Sequence, residues 1–99
     1  MLDFHIIRDN ESRGSHTAAT HNYVGGIDYE EFVFWQDNLV FENHLDYYAD
    51  FLFTSEEVVT KLNLAILTAE KIKLPVHFSL IRILSDAKSQ GAGLMAYCD

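Results

Sequence analysis

Five histidines, one cysteine and fifteen carboxylates are the residues of this 99-residue chain whose types suit chemistry. Imidazole is the commonest nitrogen ligand for a transition metal. The spacing His16-x4-His21 matches no ligand box, however, and no histidine pair falls at i, i+4 on an expected helix. His16 and His21 therefore read as polar residues of an exposed loop, and His5 and His44 as strand residues at a sheet margin. Cys98 beside His77 has the makings of a thiolate pair, since an imidazolium lowers a thiol's pKa. The penultimate position frays unless paired, so Cys98 reads as a small hydrophobe. Asp46 with Asp50, and Glu30 with Glu31, are carboxylate pairs of the kind a hydrolase uses as acid and base. With fifteen acids such pairs arise by chance, and nothing selects one. Ser12-Arg13-Gly14-Ser15 lacks the spacing of a phosphate loop, and Gly25-Gly26 lacks the third glycine of a dinucleotide site. The expectation is a chain with no catalytic residue, no metal and no cofactor, and so not an enzyme.

Charge is the stronger signal. The formal net charge is −8. Residues 1–54 hold ten acids against Arg8 and Arg13, whereas residues 55–99 hold five acids and five cations, so the whole surplus lies in the first part. From Arg13 to Lys61 there is no lysine or arginine between. Like charges gathered in this way repel nucleic acid and anionic membrane, and they draw in a basic partner. One cysteine excludes an internal disulfide and suits a reducing, cytoplasmic compartment. Met1-Leu2-Asp3-Phe4-His5 has no basic segment leading into an apolar one, so no signal peptide is expected, and no apolar run reaches the roughly 18 residues of a membrane span.

The elements that must position these groups follow from periodicity. Leu2, Phe4 and Ile6 alternate on one face of a first strand over 2–7. The polar stretch 8–15 is a loop, and 16–24 is a second strand ending at Gly25-Gly26. Phe32–Phe53 holds eight aromatics in twenty-two positions and no cation. Aromatic and β-branched residues favour a pleated surface, which predicts three antiparallel strands near 30–36, 39–43 and 45–53, the first two joined by a turn at Asp37-Asn38. Thr54-Ser55-Glu56-Glu57 then forms a capping box for a helix running to about Ile72, with Val58, Val59, Leu62, Ala65, Ile66 and Ala69 inward. Leu64 and Leu67 fall off that face as a second apolar stripe, which predicts an interface or a covered side. Pro75 at N1 and a stripe of Val76, Leu80, Ile83, Leu84 and Ala87 predict a second helix over 75–90, although Val76–Leu80 also alternates like a strand. Residues 94–98 close the chain as a strand. The fold class is α+β: a single domain with a mostly antiparallel sheet of five to six strands packed on one face by two helices.

Trp35 and Tyr48 fall on the register of Gln36, Asp46 and Asp50, among the acids. Rings set among carboxylates suit a basic partner, the rings desolvated at the centre and the charges steering and pairing. In size, acidity and want of motifs the chain resembles the small immunity proteins with which bacteria neutralise toxin domains, many of them cationic nucleases. That profile implies a stoichiometric inhibitor that occludes a basic, toxin-like protein without chemistry of its own. Asp37, Glu42, Asp46 and Asp50 are the expected complementary charges, and Trp35, Tyr47 and Tyr48 the expected anchors. The alternatives are a homodimer built on Leu64, Leu67 or an edge strand around a small-ligand cleft, and a metal-dependent or acid-base enzyme.

Overall fold

Alternating apolar residues at Leu2, Phe4 and Ile6 build the first strand, β1 (Leu2–Ile7), as expected. In the computed structural model, which describes residues 1–8 and 22–98, β1 is a central strand of the sheet. It pairs antiparallel with β2 (Asn22–Ile27) on one side and with the final strand, β4 (Gly93–Cys98), on the other. A short strand, β3 (Phe51–Phe53), completes the sheet against β4, giving the order β2-β1-β4-β3. Gly25-Gly26 lie inside β2 rather than ending it. The register shifts between Phe4 and His5, opposite Gly25, whose φ of +140° only glycine adopts readily. Gly93 is required for a different reason. A Cβ there would meet the Phe53 carbonyl oxygen, so the β3–β4 approach depends on its absence.

The described residues also form three helices: α1 (Tyr29–Asp37), α2 (Ser55–Lys71) and α3 (Leu80–Ser89). Among the described residues the sheet thus has four strands rather than five or six, and the helices number three rather than two. The largest departure is α1, where a strand over 30–36 was expected. Asp28 caps it, its side chain accepting from the Glu31 N–H at 2.9 Å, and Phe32 and Trp35 bury three residues apart, at helical rather than strand spacing. Asp37 and Asn38 end this helix instead of turning a hairpin. Of the strands expected over 39–43 and 45–53, only Phe51–Phe53 forms. Residues 39–50 are a loop anchored by buried Val40, Phe41 and Tyr47.

α2 starts with the capping box as read, Thr54 Oγ1 accepting from Glu57 N–H and Glu57 Oε1 from Thr54 N–H. Its inward face is Val58, Leu62 and Ala65, while Val59 and Ile66 are exposed. α3 begins five residues later than expected. Pro75–Ser79 form a turn with Val76 fully exposed, and Leu80, Ile83, Leu84 and Ala87 go into the core. Each such leucine or isoleucine contributes about 1.5–3 kcal/mol by leaving water. These side chains meet Leu2, Phe4, Ile6, Ile27, Leu94 and Ala96 in one cluster over a single sheet face. α2 packs on β3 and β4, α3 on β2 and β4. No described helix is long and apolar enough to cross a membrane. Apart from Arg8, the loop expected over 8–15, most of the strand over 16–24, and His16 and His21 lie outside the described residues.

Candidate functional site

The acidic and aromatic stretch contributes a face rather than a strand. Gln36, near the end of α1, sends Nε2 to the carbonyls of Glu42 and Leu45, each at 3.0 Å, and so staples the 39–50 loop to the helix. Trp35 O accepts from Val40 N at 2.9 Å and Phe41 N at 3.2 Å. Asp46 Oδ1 then accepts from Tyr48 N at 2.9 Å, an Asx turn that sets the direction of two tyrosines. Tyr47 turns in, its ring 5.6 Å from Phe32, and Tyr48 turns out, 71% exposed.

Tyr29, the first residue of α1 and 54% exposed, completes the arrangement. Its ring centroid lies 5.3 Å from Tyr47, edge-on at 85°, and 6.1 Å from Tyr48, nearly parallel at 26°. Tyr47 and Tyr48 meet at 5.1 Å and 88°. These three rings, with Gln36, Asn43, His44 and Asp46, line an open cavity of about 340 Å³ that has no lysine or arginine among the described residues of its wall. The Tyr47 hydroxyl is pushed above its ordinary value of 10.0, by burial first, then by Cys98, Asp28, Tyr48 and Asp3. Asp50, which accepts from Cys98 N at 3.3 Å, stands beside the same end of β4. Such a surface attracts cations twice over: by carboxylate charge and by the negative faces of the rings.

The seven expected contact residues separate accordingly. Asp46, Tyr47 and Tyr48 come together, Tyr47 as the buried floor, and Asp50 lies nearby and exposed. Trp35 does not belong to the surface. It is 0% exposed, with Nε1 donating to Glu31 Oε2 at 2.9 Å, because the backbone is helical there and the strand alternation that would have turned it outward does not apply. Glu42 is not a free charge. It is ion-paired to Lys61, which is itself buried over the Phe53 ring. Burial opposes ionisation of Glu42, but the Lys61 bond, a backbone bond and the Lys61 and His44 charges together hold its pKa below the usual value of 4.5. Asp37 ends α1, eight residues from Tyr29 and so about 12 Å along the axis from it, and is not in the cavity wall.

Tyr29 is absent from the expected site, and Glu31, expected only as one of a carboxylate pair with Glu30, turns out to be a buried cap. The available signal was Asp28-Tyr29-Glu30-Glu31, an N-cap followed by acids in a first turn. Glu31 is sealed inside, accepting from Trp35 Nε1, from Ser79 N at 2.9 Å and from Leu80 N at 2.9 Å, so it caps α3 from another helix. Burial pushes its pKa up, against the pull of those hydrogen bonds. Asp28, Glu30 and His77 bring three ligand atoms within 4.8 Å of one another. Glu30 Oε1 already meets His77 Nε2 at 3.0 Å, Asp28 caps α1, and all three are open to water, so the cluster carries no metal assignment. No family model, curated protein or solved structure matches the chain.

Proposed function

We propose that this chain is a stoichiometric binding protein whose tyrosine and carboxylate face docks onto a basic protein, in the manner of the immunity proteins its profile resembles. The observation that carries the reading is the cavity of Tyr29, Tyr47, Tyr48 and Asp46, with no lysine or arginine among the described residues of its wall. Occlusion is the mechanism: the protein covers a cationic surface and performs no chemistry. A lysine or arginine of the partner stacks on Tyr48 or Tyr29, an interaction worth about 0.5–2 kcal/mol, and Asp46 and Asp50 pair with its neighbours. The compartment that suits this role and the single cysteine is the cytoplasm.

Calorimetric titration against a panel of cationic nuclease domains and arginine-rich peptides tests the reading. Tyr48→Ala is expected to weaken the binding of a recognised domain about tenfold, and D46N/D50N, which preserves the Asx acceptor, to weaken it and flatten its salt dependence. Affinity unchanged in both variants, or no binding across the panel, contradicts it.

A further inference from the structure

A second surface lies away from the tyrosines. Leu39, Leu64, Leu67 and Ile72 line an apolar groove of about 290 Å³ along the outer side of α2, with Thr68 and Lys71. Leu39 is 74% exposed and Leu67 53%, so these side chains stand in water. Leu39 also has φ +64°, a left-handed conformation costly for a residue with a Cβ. That conformation closes α1, with Leu39 N donating to Gln36 O at 3.1 Å and Val40 N to Trp35 O at 2.9 Å, and it leaves the leucine side chain outside the core.

We infer that a second copy of this chain docks in this groove, α2 against α2, antiparallel about a two-fold axis at Leu64. The argument is self-complementarity. Glu57, Thr60, Leu64, Leu67 and Lys71 follow one another at steps of three and four and so share a stripe of the helix. Lys71 lies seven residues after Leu64 and Glu57 seven before it, each about 10 Å along the axis. A two-fold axis at Leu64 sets Leu64 on itself, Thr68 on Thr60, and Lys71 of each copy on Glu57 of the other, so both ends pair opposite charges. An isologous contact requires this kind of match, and a parallel arrangement would set Lys71 on Lys71. Glu57 commits Oε1 to its capping box, and among the described residues Lys71 has no ion-pair partner. Leu67, Leu39 and Ile72 line the groove on the C-terminal side of that axis, where the partner's Thr60 and Glu57 approach them.

Sedimentation equilibrium of the full chain tests this. The wild type is expected to pass from one chain mass to two with a dissociation constant on the order of 100 µM, as befits a small interface. Leu64→Glu, at an exposed position, weakens association about a hundredfold with an unchanged circular dichroism spectrum. Lys71→Glu weakens it about tenfold, since both ends then repel. Mixing Lys71→Glu with Glu57→Lys chains restores it, because both ends of that heterodimer pair correctly, and thermal melts verify that the Glu57→Lys chain is folded without its cap. A single-chain mass at every concentration overturns the proposal, as does a dimer indifferent to Leu64→Glu. A dimer broken by Leu64→Glu but unmoved by Lys71→Glu overturns the antiparallel register. The tyrosine face is untouched by these variants, so the two surfaces are tested separately.

Discussion

The Glu31 carboxylate accepts hydrogen bonds from the Trp35 ring and from two backbone N–H groups at the start of α3, where Ser79 offers no side-chain cap of its own. Removing its charge while keeping its shape places an amide N–H₂ against those donors. Glu31→Gln is therefore expected to lower stability by about 1–3 kcal/mol in urea denaturation, the cost of buried donors left unsatisfied. Its pH signature is distinctive. Because burial raises the folded-state pKa above 4.5, the contribution of Glu31 is fully present below that value and falls as pH rises through the folded pKa. Glu42 has the opposite sign. Its folded pKa is lowered by Lys61, so its contribution is present above 4.5 and is lost as pH falls through the folded pKa. Stability curves of Glu31→Gln and Glu42→Gln against pH should thus depart from the wild type in opposite directions, and a common slope would contradict the two environments.

Helix α2 depends on a reciprocal pair of hydrogen bonds at its N-terminus, between Thr54 and Glu57. Thr54→Ala should cost about 1 kcal/mol, a fall in melting temperature of roughly 5 °C by differential scanning calorimetry. That helix was legible because its cap, its period of 3.6 and its C-terminal lysine agree. β1 was legible because Leu2, Phe4 and Ile6 alternate at period two. α1 was not, because its residues contradict one another. Phe32, Val33, Phe34 and Trp35 have strand propensity, while the Asp28 cap and the i, i+4 pairing of Glu31 with Trp35 demand a helix, and tertiary burial of Phe32 and Trp35 decides the outcome. Pro75 misled in a similar way. It begins a one-turn loop, not the helix, since α3 starts where the distant Glu31 can cap it. No local pattern reveals a cap supplied from 48 or 49 residues away.

At the scale of the molecule, an excess of acid in the first part of the chain becomes a face only in part. Glu42 is neutralised by Lys61 from α2, Glu30 pairs with His77, and Asp37 sits at the far end of α1, while Asp46 lines the tyrosine cavity and Asp50 stands exposed beside Cys98. Composition predicted the acid and the rings. It did not reveal which of them meet, because that depends on α1 being helical and on a loop stapled by Gln36. The most direct test of the tyrosine face is a chemical-shift map of the full chain titrated with an arginine-rich peptide. The account predicts shifts concentrated at Tyr29, Asp46, Tyr47, Tyr48 and Asp50 that fade with added salt. Shifts centred on α2 or α3, or spread evenly over the surface, would contradict it.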